Sequence, residues 1–224
     1  MILGVSHILY CARDLVFEPL TAIGYRERFI DSDVGSPSSK WQFMRYPSTT
    51  HTLALFDRRS CPSIELIIYP EVVDHREPCL RLQLPLDSQV VGMHGVEQVG
   101  VAGEEALVEM QTTDSGATSA LLTGGLGFKH REDSRYSFRS VRPEWSIGIT
   151  LVQSDKPEPL LDQTGPNCIS FLSTDLASDR KRLLDAGVVA STEPFGVEVG
   201  GKDVLAEIFR GPGGEFVELI QVLS

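Results

Sequence analysis

Three ionisable side chains lie within strands that are otherwise largely apolar. They are His7 in Val5-Ser6-His7-Ile8-Leu9-Tyr10-Cys11, Glu65 in Ser63-Ile64-Glu65-Leu66-Ile67-Ile68-Tyr69, and Glu218 in Phe216-Val217-Glu218-Leu219-Ile220. Successive residues of a strand face opposite ways, so each acid looks either to water or into a site. A carboxylate turned into an apolar interior costs several kcal/mol unless it is paired, protonated or metal-bound. Glu65 and Glu218 therefore each need a partner if they face inward. The plain reading of a lone histidine in an apolar strand is a hydrogen-bonded core residue.

Other candidate chemistry is thinner. Cys11, Cys61, Cys79 and Cys168 lie far apart with no C-x-x-C pair, which writes neither a zinc ribbon nor a dithiol redox motif. They read as reduced thiols of a cytoplasmic protein, with Cys11 and Cys168 as small buried hydrophobes. Gly124-Gly125-Leu126-Gly127 has the glycine density of a phosphate loop, but a helical pattern precedes it and a strand follows, the reverse of a dinucleotide fingerprint; it reads as a helix stop. Asp74-His75, with Glu77 nearby, reads as solvated, and no Ser-His-Asp set is recognisable. Trp41 and Trp145 near loops either stack on a ligand or make core or dimer contacts.

Composition narrows the class. The chain has 224 residues, 42% of them hydrophobic, and a net charge of −11, enough for one large or two small domains with a real core. Clustered Lys and Arg of the kind that neutralise a nucleic-acid backbone are not in evidence, so nucleic acid is not expected as a partner. The opening residues 2–12 carry no basic n-region and alternate like a strand, and no stretch approaches the roughly 20 apolar residues of a membrane span. Small molecules or other proteins remain as partners.

The elements that would position these residues repeat. In the last part of the chain Cys168 to Leu172 alternates as a strand, Thr174-Asp175 offers an N-cap, residues 176–186 are helical in pattern, and Gly187 stops the helix. Residues 204–209 then run through Gly211-Pro212-Gly213-Gly214 into the closing strand, a hairpin. The unit is β-α-β-β-β. Residues 4–15 align with 165–176 without gaps, setting His7 against Cys168 and Asp14 against Asp175, and Glu65-Leu66 meets Glu218-Leu219. Residues 106–155 read as a shorter third copy between them, and residues 32–39 as a polar rim loop rich in Ser, Gly and Pro.

The strand, Asp-capped helix, Ala-Gly ending and hairpin followed by Glu-Leu resemble a module of the vicinal-oxygen-chelate superfamily, which includes glyoxalase I, bleomycin- and fosfomycin-resistance proteins and extradiol dioxygenases. That family usually writes the hairpin Asp-Pro-(Asp/Glu)-Gly, where this chain has Gly211 and Gly213. The resemblance implies an α+β, glyoxalase-like fold of β-α-β-β-β modules forming cupped, mostly antiparallel sheets. The expected organisation is a first module over residues 1–70, a β-rich connector or degenerate module over 71–105, and paired second and third modules over 106–224. An unpaired first module would leave a bare sheet edge, so either a homodimer or coverage by residues 71–105 is expected.

In family members with a metal, the ligands come from the first and last strands of both paired modules. The matching positions are His7 and Glu65 in the first module, Leu107 and Gly148 in the second, Cys168 and Glu218 in the third. The middle module offers no ligand side chain. The expected second–third pair would leave Glu218 alone, whereas the first and third modules together would supply His7, Glu65 and Glu218, with Cys168 as a further candidate, as the set for a divalent metal (Fe, Mn, Zn or Ni), and Glu65 or Glu218 as the carboxylate that moves a proton. Two functions follow: a small-molecule-binding protein of the glyoxalase/bleomycin-resistance type without a cofactor, or a metal-dependent lyase, isomerase or dioxygenase. The sequence favours the first, since the expected pair of modules keeps one of its four ligand positions with certainty of type.

Overall fold

The computed structural model describes residues 1–15, 17–59, 61–74, 77–85, 92–98, 106–155 and 159–223. The first module comprises β1 (Ile2–Ala12), α1 (Phe17–Ala22), β2 (Arg26–Gly35), β3 (Thr50–Arg58) and β4 (Cys61–Ile68). The connector supplies β5 (Leu80–Leu84) and β6 (Val96–Gln98). The middle module follows with β7 (Leu107–Thr112), α2 (Ser115–Ala120), β8 (Lys129–His130), β9 (Arg135–Phe138) and β10 (Ile147–Gln153). The last contains β11 (Gly165–Ser173), α3 (Leu176–Asp185), β12 (Ala190–Ser191), β13 (Phe195–Val199), β14 (Lys202–Arg210) and β15 (Phe216–Val222). The α+β class and the repeated unit are as expected.

The helices start and stop where local chemistry dictates. Asp175 accepts a hydrogen bond from the backbone N–H of Ser178 at 3.0 Å, and Asp114 does the same for Ala117 at 2.9 Å, each satisfying an otherwise orphaned donor of the first turn. Gly187 and Gly127 end their helical segments at φ +98° and +83°. The glycine-rich stretch of the middle module is therefore a helix stop, with Gly124 and Gly125 inside a π-helical turn, Leu121–Gly125.

The pairing of modules differs from the expectation. The second and third modules do not share a sheet; β11 pairs antiparallel with β1, with His7 opposite Ser170. A nine-stranded sheet runs β12-β14-β15-β11-β1-β4-β3-β2, with β13 also paired to β14, and a six-stranded sheet runs β6-β5-β7-β10-β9-β8. The first and last modules form one cup, and the connector pairs with the middle module to form the other. The reason lies in strand edges. β1 is buried along nearly all its length, so both its edges need backbone partners, and β4 and β11 supply them. The comparable edge of β7 is already taken by β5. The connector thus acts as a shortened module: β5 lies antiparallel to β7 and parallel to β6, as β11 lies antiparallel to β1 and parallel to β15. With the first module paired in this way, the bare edge that motivated a homodimer or a covering connector is gone.

The two cups pack on one apolar core that draws Ile8, Phe56 and Phe171 from the large sheet and Leu82, Val108 and Ile149 from the small one. A second joint explains the unusual hairpin. A Cβ on Gly213 would run into the hydroxyls of Thr112 and Thr118, and one on Gly211 into the Glu215 carboxylate. The backbone N–H of Thr113 donates to the Gly213 carbonyl at 3.0 Å. The last module's hairpin is pressed against the middle module's helix start, and acids at these places would not fit.

Gly213→Ala is expected to cost about 2 kcal/mol through overpacking, lowering Tm by roughly 4–8 °C in a chain of this size. Gly35→Ala, whose added methyl meets nothing within 4 Å, is expected to stay within about 0.5 kcal/mol. Calorimetry of the two variants checks the contrast.

Candidate functional site

His7, Glu65 and Glu218 come together. In the large sheet β4, β1, β11 and β15 are successive neighbours, and β4, β1 and β15 each turn one side chain of this group to the concave face. His7 Nε2 lies 3.5 Å from a carboxylate oxygen of Glu65 and 3.5 Å from one of Glu218. All three residues are buried, at 5%, 8% and 6% exposure. Ser170 on β11, opposite both His7 and Glu218, donates its hydroxyl in a short hydrogen bond to Glu218.

The sheet curls until its ends meet. The N–H of Gly200, beyond β13, donates to Asp31 on β2 at 2.6 Å, and Gln42 bonds the Ser191 carbonyl at 3.1 Å. The space enclosed is a cavity of about 200 Å³. His7, Glu65 and Glu218 lie on its floor, Phe195, Val197 and Val199 of β13 on one wall, and Leu53 and Leu55 of β3 on another.

Two basic residues that sequence reasoning did not single out also line it. Lys40 sits on a 3-10 turn, Ser38–Phe43, that overlaps the end of the segment expected as a rim loop; residues 32–35 of that segment are the end of β2. Its side chain is drawn inside, at 5% exposure, with Nζ 4.6 Å from the centre of the Phe195 ring. The available signal was spacing: residues three apart eclipse in a 3-10 helix, and Phe43, three on from Lys40, is a core residue at 2% exposure. His51, on β3, is equally buried, tilts against Tyr69 with ring centres 5.4 Å apart, and leaves Nδ1 without a hydrogen-bond partner.

The charges tune one another. Burial works to lower the His7 pKa, but the fields of Glu65 and Glu218 outweigh it and the net shift is upward. Burial pushes the Glu65 carboxyl up. For Glu218 burial acts the same way, yet the hydrogen bond and charge of His7, with Lys40 and Ser170, bring the net shift down. Burial lowers the Lys40 ammonium against the pull of Glu218 and Glu65, and burial together with the Lys40 charge pushes His51 down to about 3.

The remaining expected ligands fall elsewhere. Cys168 does not line the cavity; it is fully buried in a second apolar cluster with Leu9, Phe43 and Phe216, and burial pushes its thiol well up. Leu107 and Gly148 face each other across β7 and β10, and a Cβ on Gly148 would collide with the Leu107 side chain, so leucine fills the corresponding place in the small sheet. Trp41 donates to the Ser48 carbonyl at 3.1 Å and Trp145 packs over Gly4; neither lines the cavity. Asp74 pairs with Arg13 at the surface, and His75 lies outside the described residues.

The donor types for a divalent metal are present in His7, Glu65 and Glu218, but the arrangement does not fit one. Among the described residues no group of three or more His, Cys, Asp and Glu side chains is arranged to hold a metal ion. Ser170 stands where the last module would contribute a ligand, and its hydroxyl already engages Glu218. A buried ammonium, Lys40, supplies the positive charge that both carboxylates feel.

The His7 shift fixes a pH dependence. Its folded pKa stands above the ordinary 6.5, so its contribution to stability is fully present below pH 6.5 and is lost as pH rises through the folded value. Glu65, also raised, acts in the same sense. His51 has the opposite sign: its folded pKa is about 3 against 6.5, so stability is lost as pH falls below 6.5. Glu218 also faces His7, Asp57 adds a weaker field, and Lys40, Arg28 and Lys202 line the same cavity. Urea denaturation from pH 6.5 upward should show wild-type stability declining and His7→Gln declining less; equal slopes would mean His7 carries no proton there.

No family model and no curated protein matches the sequence. Among solved structures, the chain is similar to a "putative dioxygenase" from Bacillus subtilis subsp. subtilis str. 168, at 12% identity and TM-score 0.41, over 98% of this chain and 63% of that one. It is similar to a glyoxalase I mutant from Zea mays at 11% identity and TM-score 0.35, over 97% of this chain and 67% of that one. A glyoxalase/bleomycin resistance protein from Albidiferax ferrireducens T118 matches at 15% identity and TM-score 0.37, over 51% of this chain and 96% of that one. The chain thus spans about two thirds or less of the two longer proteins, and such identities and TM-scores carry nothing about activity. Paired β-α-β-β-β modules curled about a cup are the architecture that the resemblance read in the sequence implied, and the structure has it.

Proposed function

We propose that the chain is a small-molecule-binding protein whose ligand occupies the cup made by its first and last modules. The observation that carries this is the cavity's unspent polarity. His51 Nδ1 is buried without a hydrogen-bond partner, and Lys40 has neither a hydrogen bond nor an ion pair for its ammonium among the described residues. Buried polar groups are normally satisfied, and an apolar-walled cavity with a few convergent polar groups is the usual form of a ligand site. The fold alone would not support this reading, since one fold hosts many functions.

The metal-dependent lyase, isomerase or dioxygenase reading requires a divalent ion, Fe, Mn, Zn or Ni, on His7, Glu65 and Glu218. Lys40 weighs against it, because an ammonium and a divalent cation would compete for the same two carboxylates.

The test is a melting screen of the purified protein against small metabolites and divalent metals. A ligand present at about 100 times its Kd and bound only by the native state adds roughly 2.7 kcal/mol, a readily measured rise in Tm. Hits should vanish in Val197→Trp, which fills the cavity from β13. Hits that persist in that variant bind elsewhere and would remove the reading.

A further inference from the structure

We infer that the Lys40 ammonium takes the place of a bound cation in this cup, and that the cup receives a small carboxylate whose apolar body lies against β3 and β13. The inference deepens the reading of the cup as a small-molecule site and rests on it.

Lys40, at 5% exposure, brings an ammonium with N–H groups that no described residue accepts. An uncompensated ion in a protein interior costs several kcal/mol. Glu65 and Glu218 offset part of that by their fields, at a distance, since neither forms an ion pair with it among the described residues. His51 Nδ1 is also buried without a partner, and an imidazole can present N–H at either nitrogen. His7 Nε2 and Ser170 are the groups that approach the two carboxylates. The Lys40 ammonium and His51 Nδ1 are left facing the cavity, so the complementary ligand offers acceptors to both.

Charge points the same way. The whole chain carries −11, yet the cavity is lined by two acids, Glu65 and Glu218, against Lys40 and Lys202 as well as His7, with Arg28 also in the lining but paired to Asp57. A carboxylate has two oxygens in one plane, enough to accept from Lys40 and His51 together. The rest of the lining, Leu53, Leu55, Val197 and Val199 among it, is suited to a hydrocarbon chain or ring.

The experiment uses EDTA-treated full-length protein and four probes, benzoate, hexanoate and their neutral amides, read by titration calorimetry and Tm. At least one carboxylate is expected to bind ten-fold or more tightly than its amide, and Lys40→Met and Lys40→Gln to lose that preference while remaining folded by circular dichroism. Two neutral variants are included so that a packing failure in one does not decide the outcome. An amide binding as tightly as its acid, or unchanged carboxylate affinity in either folded variant, would overturn the role of Lys40 and leave the small-molecule reading intact. Stoichiometric divalent metal that returns after chelation would also overturn it. No binding by any probe, together with no hit in the melting screen, would remove both.

Discussion

The structure depends on keeping four ionisable side chains, His7, Lys40, Glu65 and Glu218, out of water. Each alone would be a serious cost, and removing one partner from a buried charged set typically destabilises by about 3–5 kcal/mol. Together they come close to neutrality. His7 is the hinge of the arrangement, because its Nε2 stands 3.5 Å from an oxygen of each acid and the fields of both acids raise its pKa. That geometry cannot be built within one module. Glu65 comes from the strand beside β1 on one side, and Glu218 from the strand beyond β11 on the other, so the group exists only if β1 and β11 are joined edge to edge.

The pairing of the first module with the last is therefore the constraint from which the architecture follows. Once β1 is spoken for, the middle module must find another partner, and the connector supplies it. The second cup this creates is structural. Leu107 occupies the place where the large cup holds an ionisable group, and Gly148 opposite has no side chain because Leu107 leaves no room for one. One cup is filled with hydrocarbon and stabilises the molecule by apolar burial; the other is left open and polar. The hairpin at Gly211 and Gly213 then locks the two together through Thr112 and Thr118.

Much of this was written in the sequence and some was not. Strand alternation, the caps at Asp114 and Asp175, and the stops at Gly127 and Gly187 are local effects, and residues within a few positions carry them. The convergence of His7, Glu65 and Glu218 was legible through the repeat, since equivalent places in paired modules meet. Which modules pair was not, because strand choice is decided by edges far apart in sequence: the expectation of neighbouring modules overlooked that β5 would occupy the edge of β7. Cys168 was placed by alignment without gaps, but the residue that faces the site is Ser170, two positions on along the same face of β11. Lys40 was hidden by its surroundings. A Ser- and Pro-rich segment reads as solvated, and only the three-residue spacing to Phe43 marks the turn that carries Lys40 inward.

The two acids of the cup are not equivalent, and this bears on what the cup can hold. Glu218 receives Ser170 and His7 and is the group held ionised, whereas Glu65 has His7 but no hydroxyl donor and is pushed toward its protonated form. Ser170 engages Glu218 and not Glu65, so the two acids present different faces to a guest. Beside them the Lys40 ammonium, with no ion pair among the described residues, and His51 Nδ1 without a partner select for a guest that can accept from both.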